Sequence, residues 1–177
     1  MRVLLFFMIF FTALCAQNSS IRTISSDFTQ IITSGEGDSL KYEGNLQALN
    51  DGSENFALWI YKTPIEKKIY FTNNRVVMIE PDLEQAIITS VEEIPDMSSI
   101  LNQALSVNKQ TNEDVNVTIL DTTYKISFED GVPAKISYAD KLDNKIDIFL
   151  KNINLNINIY KLTFQIEIPE GFDVVKY

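Results

Sequence analysis

The feature that most constrains this chain is a train of short apolar, β-branched and aromatic runs, each closed by turn-forming residues. Leu40–Leu49 ends at Asn50-Asp51-Gly52, Phe56–Tyr61 at Lys62-Thr63-Pro64, and Ile65–Thr72 at Asn73-Asn74. Arg75–Glu80 ends at Pro81-Asp82 and Leu83–Val91 at Glu92-Glu93. Later runs cover Val115–Leu120, Thr123–Phe128, Ala134–Ala139, Lys145–Ile153 and Leu162–Ile168, the last closed by Pro169-Glu170-Gly171. Gly35-Glu36-Gly37 and Asp130-Gly131 read as tight turns. Runs of this length and spacing predict an antiparallel sheet or barrel of about ten or eleven strands.

Two stretches have helical spacing instead. Ser19 and Ser20 precede Ile21, Ile24, Phe28 and Ile31, which predicts a short amphipathic helix running into a strand near Phe28. Asp96 is placed to cap a second helix with Met97, Ile100, Leu101, Ala104 and Leu105 on one face. Between Asn152 and Asn158, Asn alternates with Ile or Leu in a phase opposite to the flanking strands, so a loop or bulge must intervene. Phe56-Ala57-Leu58-Trp59-Ile60-Tyr61 is apolar on both faces and needs a cover on each side. A sandwich or filled barrel satisfies that; so does a curved sheet lidded by helices over a greasy cavity.

Composition removes much of catalysis. The 177 residues include no His and one Cys, with 15 Lys+Arg against 24 Asp+Glu and a formal charge of −9. Without imidazole there is no Ser-His-Asp triad, Cys-His pair or histidine metal ligand, and one thiol makes neither an internal disulfide nor a zinc cluster. An acidic chain is a poor match for nucleic acid. The carboxylates (Glu84, Glu92-Glu93, Asp140, Asp143) sit in turn-like contexts and read as solvated surface, the Gly35–Gly37 turn is no phosphate loop, and Asn50-Asp51-Gly52 lacks calcium-ligand spacing. Asp114-Val115-Asn116-Val117-Thr118 resembles the sequon of some bacterial N-glycosylation systems.

Residues 1–16 read as an export leader: Arg2, an apolar run Val3–Leu14, then Cys15-Ala16. The run is shorter than the ~20 residues a bilayer-spanning helix needs. Cleavage falls after Cys15 or Ala16. Cys15 also permits a lipoprotein reading, but Leu14 and Thr12 fit that processing poorly. Residues 17–177 are then one domain.

Several motifs, in order along the chain, resemble the outer-membrane lipoprotein carrier family (LolA). Phe28-Thr29-Gln30 matches its early F-x-Q, and Gly44-Asn45-Leu46 its G-x-L strand. Trp59-Ile60-Tyr61-Lys62-Thr63-Pro64 matches W-x-Y-x-x-P, and Glu80-Pro81-Asp82-Leu83-Glu84-Gln85 its D-P-x-x-x-Q-like segment. The tail from Phe164 through Pro169, Gly171 and Asp173 to Val175 is similar to its closing strand. The resemblance implies a mainly β (α+β) fold, a half-open antiparallel barrel of about eleven strands with a short α-helical lid over a hydrophobic cavity. It also implies a periplasmic carrier that takes acylated lipoproteins from an inner-membrane ABC transporter and hands them to an outer-membrane acceptor. Such a carrier acts as a monomer, without cofactor, metal or catalysis.

Under that resemblance Ile21 and Ile24 would line the N-terminal helix, Met97, Ile100 and Leu101 the second lid, and Trp59, Tyr61, Ile69 and Phe71 the concave sheet. One departure matters. The family often has an Arg-Pro before its tryptophan, and that Arg holds the lid closed; here the stretch is Leu49-Asn50-Asp51-Gly52. Lid control must differ, or Asn50 and Asp51 must substitute. Alternatives are a lipidated acceptor of the same fold, a lipid- or peptide-sensing domain, and, from another class, a carboxylate hydrolase in a β-barrel.

Overall fold

The computed structural model describes residues 20–72, 74–91, 97–108 and 112–177. The leader, Cys15 and the Asp96 cap lie outside these residues. A first meander comprises β1 (Thr23–Thr33), β2 (Ser39–Asn50), β3 (Asn55–Thr63), β4 (Lys67–Thr72), β5 (Arg75–Glu80) and β6 (Gln85–Ser90). Helix α1 (Met97–Val107) leads to a second meander of β7 (Val115–Ile119), β8 (Thr122–Glu129), β9 (Val132–Ala139) and β10 (Lys145–Leu155), and β11 (Asp173–Lys176) closes the chain. All eleven strands share one sheet in the order β11-β6-β5-β4-β3-β2-β1-β10-β9-β8-β7. Every pairing is antiparallel except β11 on β6. The two edges, β11 and β7, do not pair, so the barrel is half-open, as expected from the sequence.

The sheet curls. In a flat sheet β3 and β9 would lie about 19 Å apart, four strand spacings. Yet Tyr61 of β3 and Ile136 and Tyr138 of β9 belong to one apolar cluster, and Tyr138 helps to raise the Tyr61 hydroxyl above its usual range. Bulges supply the bend: β1 slips against β10 between Ser25 and Asp27, and β2 against β3 between Glu43 and Gly44. The first of these is the predicted irregularity in the Asn-rich segment, where Asn152 and Asn156 both adopt positive φ. Two-residue turns at Leu120-Asp121 and Asp130-Gly131, with positive φ throughout, match the twist of their hairpins.

Two apolar clusters occupy the two faces. The inner one gathers Ile24, Phe28, Leu46, Tyr61, Ile126, Ile136 and Ile148 under α1. The outer one joins Leu58, Tyr70, Val77, Ile79 and Ala86 to Phe164, with Ile166, Ile168 and Phe172 packed on it. The doubly apolar β3 therefore has a different cover on each side.

Two expectations fail. The helix expected through Ile21, Ile24, Phe28 and Ile31 is absent among the described residues; Thr23–Thr33 is a strand. A spacing of four, as between Ile24 and Phe28, fits one face of a strand as well as a helix. The buried polar residues Ser26 and Gln30 on that same face conceal the alternation. Leu162–Ile168 is not a strand either. It opens with a 3-10 turn at Lys161–Phe164 and crosses the outer face, and the last strand follows Gly171 rather than preceding Pro169. Its alternating apolar side chains pack onto a sheet face, which demands the same pattern as pairing at an edge.

Candidate functional site

Register aligns the inner face in rows. Ala57, Trp59 and Tyr61 on β3 lie beside Phe71, Ile69 and Lys67 on β4. The rows continue through Val76 and Met78 on β5 to Thr89 and Ile87 on β6. On the other flank, Ala48, Leu46 and Gly44 of β2 meet Ile24, Ser26 and Phe28 of β1.

Three separate sequence motifs meet here. The Phe28 ring packs edge-on against Trp59, 4.9 Å between centroids, and Tyr61, 5.1 Å away. Gly44 makes this possible. A Cβ there would stand 1.9 Å from the Ile60 carbonyl oxygen and 3.0 Å from the Phe28 ring, so only glycine fits at the bulge. The Tyr61 hydroxyl donates to Gln30 Oε1 at 3.0 Å, which satisfies a buried phenol and a buried amide together. Burial, with smaller contributions from Tyr138 and Tyr42, holds the Tyr61 hydroxyl well above its usual range; burial pushes Tyr138 up to about 12.

Helix α1 closes one part of the face. Ile100, Leu101 and Ala104 are buried in the inner cluster, with Met97 and Leu105 beside them. The helix packs mainly on β7, β2 and β8. It is tied to the segment leading into β1: the Ile21 N–H donates to Asn102 Oδ1 at 2.6 Å, and Asn102 Nδ2 donates back to the Ile21 carbonyl at 3.0 Å. Asn50 and Asp51 have other duties. The Asn50 N–H bonds the Arg22 carbonyl, and the Asp51 carboxylate takes Lys161 at 2.7 Å.

Of the residues nominated from sequence, Ile21, Ile24, Tyr61, Ile100 and Leu101 are buried in this cluster, and Trp59, Ile69 and Met97 pack against it half-buried. Ile21 lies in the irregular lead-in and Ile24 on β1, rather than on a helix. Phe71 stands on the same face by register but outside the cluster, with Val76, Met78 and Ile87 also half-buried beside it. Beneath α1 the inner face is tightly filled; over β4, β5 and β6 it is apolar and half-covered. Sequence reasoning missed Gln30, Gly44, Lys67, Met78 and Asn102. The F-x-Q and G-x-L motifs held the signal for the first two; nothing local marks Asn102.

Among the described residues no group of three or more His, Cys, Asp or Glu is placed to hold a metal. The carboxylates of Asp27 and Asp147 lie on the sheet face opposite the inner cluster. Asp27 accepts from Asn45 and from Asn152, the latter at 2.7 Å. Asp147 accepts from Ser137 and pairs with Lys135 and Lys145. Asn116 is exposed on the edge strand β7.

The model of the family "Outer membrane lipoprotein carrier protein LolA" matches residues 19–167. The chain is 34% identical over 173 residues to the outer-membrane lipoprotein carrier protein of Wolinella succinogenes, covering 97% of this chain and 96% of that one. It is 34% identical over 176 residues to the one from Campylobacter jejuni, covering 99% of each. The carrier protein of a Helicobacter pylori strain is 32% identical over 158 residues, 89% of this chain and 82% of that one. With its motifs converging on one lidded, half-covered sheet face, this chain belongs to the outer-membrane lipoprotein carrier (LolA) family.

Proposed function

We propose that this chain is a periplasmic lipoprotein chaperone whose inner sheet face holds the acyl chains of outer-membrane lipoproteins in transit. The observation that carries this reading is the half-covered apolar surface of Trp59, Ile69, Phe71, Val76, Met78 and Ile87, which runs on from the inner cluster beneath α1. An acyl chain costs about 0.8 kcal/mol per CH₂ to expose to water, so transit between membranes needs a container. The chain enters along β4 to β6 and extends under α1 once the Asn102–Ile21 hydrogen bonds break and Ile100 and Leu101 leave the core. Adaptable side chains such as Met78 and Met97 suit that repacking. The cargo is received from an inner-membrane ABC transporter and passed to an outer-membrane acceptor, with no chemical step. Residues 1–16 direct export, and residues 17–177 are the working domain. Among the described residues no helix is long and apolar enough to cross a membrane.

The test is release of newly made lipoproteins from spheroplasts by the purified protein, read by mass spectrometry of the soluble fraction. A soluble one-to-one complex is expected. Trp59→Asp, at a half-buried position, should cut release at least about tenfold while far-UV circular dichroism stays unchanged, and Ile100→Asp should cut release as far but also lower the urea midpoint, since a carboxylate at that buried position must be desolvated even without a chain. Full release by both variants excludes these residues from the cavity. Absence of release, with acylation of Cys15, would instead identify an acceptor.

A further inference from the structure

We propose that Asn116 is an N-glycosylation site and that its glycan shields the free edge of the sheet at β7. The inference goes beyond the carrier reading and shares with it only the export of the chain.

Two observations meet at this strand, and the first is the acceptor itself. Asn116-Val117-Thr118 has the Asn-x-Thr spacing, with Asp114 two residues before the asparagine. The other Asn-x-Ser/Thr of the chain, Asn18-Ser19-Ser20, has Ala16 at that position and lacks the acid. Residues spaced by two share a face of an extended chain. Asp114, Asn116 and Thr118 are all exposed, while Val115 and Val117 are buried in the inner cluster. Asn116 therefore points away from the face proposed to hold acyl chains, and a glycan there leaves that face open. Among the described residues no hydrogen bond engages its side-chain amide. Thr118 shares a hydrogen bond with Thr123 at 3.0 Å, and Asp114 pairs with Lys125 at 2.7 Å. Both contacts are solvent-exposed and weak enough to give way.

The second observation is the edge. β7 is a terminal strand and, among the described residues, pairs on β8 alone. Presenting Asn116 to a transferase thus opens one ladder of five residues rather than two. The strand reads Val-Asn-Val-Thr-Ile, with no charge, no proline and no bulge against β8. That is the composition of an edge prone to pair with another chain. The opposite terminal strand, β11, is shorter and carries Asp173 and Lys176. A hydrophilic glycan on β7 supplies the guard that charge supplies on β11. In the reaction the Asn116 Nδ2 bonds to the anomeric carbon of a polyprenyl-diphosphate-linked oligosaccharide. The bond from that carbon to the diphosphate oxygen breaks, polyprenyl diphosphate leaves with the electron pair, and one amide proton passes to solvent.

The test is mass spectrometry of the intact protein and of its tryptic peptide 110–125, purified from the periplasm of its own cells. A chain beginning at Ala16 or Gln17 and carrying an oligosaccharide on Asn116 is expected. Asn116→Gln, Thr118→Ala and Asp114→Ala should each lose the glycan, and Asp114→Glu should keep it. Asn116 is exposed, so an unchanged urea midpoint serves as the folding control for Asn116→Gln. By light scattering the unglycosylated Asn116→Gln protein should self-associate more than the wild type, and Asn116→Lys, which puts a charge on the edge, should not. A processed chain whose peptide 110–125 is unmodified overturns the site and leaves the carrier reading standing. A glycan that makes no difference to self-association overturns the shield. A chain that keeps residues 1–16 ends the export reading, and this inference with it.

Discussion

The two faces of the strands β3 to β6 are similarly apolar and differently covered. The outer face, with Leu58, Tyr70, Val77 and Ile79, is sealed by the segment that follows β10. That segment is fastened at both ends. Lys161 bridges Asp51 and Glu54 at 2.7 and 2.6 Å, and β11 adds a parallel ladder along β6. Phe164 stacks on Phe56 at 5.6 Å between them. Among the described residues the inner face is covered by α1, which packs on the inner cluster and whose Asn102 exchanges a pair of hydrogen bonds with Ile21 in the lead-in to β1. On the proposed function, the face sealed by a strap with a strand at its end is structural, and the face under α1 is the one that exchanges its cover for a ligand.

The strongest way to break this comparison is to open the outer face. Phe164→Ala should cost about 3–5 kcal/mol in urea denaturation, the usual range for a buried phenylalanine, while the acyl affinity of the folded fraction is unchanged. Loss of binding at full stability would mean that the outer face is itself part of the site. A smaller effect should follow from cutting the latch. Asn102→Ala is expected to cost roughly 1–2 kcal/mol. It should speed amide hydrogen exchange at Ile21 and along α1 while leaving the β6–β11 ladder protected. Equal acceleration in both regions would show that the lid and the strap open as one unit.

The smallest effect is electrostatic and lies outside both covers. Burial works against the charge on Asp147, but Ser137, Lys135 and Lys145 outweigh it and hold the carboxyl at about 2 against an ordinary 3.8. A folded-state pKa below the unfolded one contributes stability that is present above about pH 4 and is lost as pH falls towards 2. The contribution is on the order of 1 kcal/mol after solvent screening. Asp147→Asn should therefore flatten the stability profile between pH 4 and 2, and an unchanged slope there would assign acid sensitivity to other carboxylates.

Much of this architecture was legible before the structure. The runs from Leu40 to Ile153 fall on β2 through β10 because each ends at residues that cannot continue a ladder, and the turn at Asp130-Gly131 is where it was expected. The residues proposed for the cavity were legible through paired motifs: Trp59 and Tyr61 share a parity, and so do Phe28 and Gln30. Misreadings arose where one pattern serves two structures. Ile24 and Phe28 satisfy strand and helix alike, and Phe164, Ile166 and Ile168 serve equally to pair at an edge or to cover a face. Lys67 gave no signal, since a lysine beside Lys68 in a strand reads as solvent-facing until register sets it opposite Tyr61.

By itself, then, the amino-acid sequence determined the number and order of most strands, the family, and the demand for two covers, because turn chemistry and side-chain parity are local. Only tertiary structure decided which segment covers which face, that Gly44 yields to Phe28, that Asn102 ties α1 to the lead-in of β1, and that Lys67 lies on the inner face. Those outcomes depend on the curl of the sheet and on contacts between residues far apart in the chain, which no local pattern records.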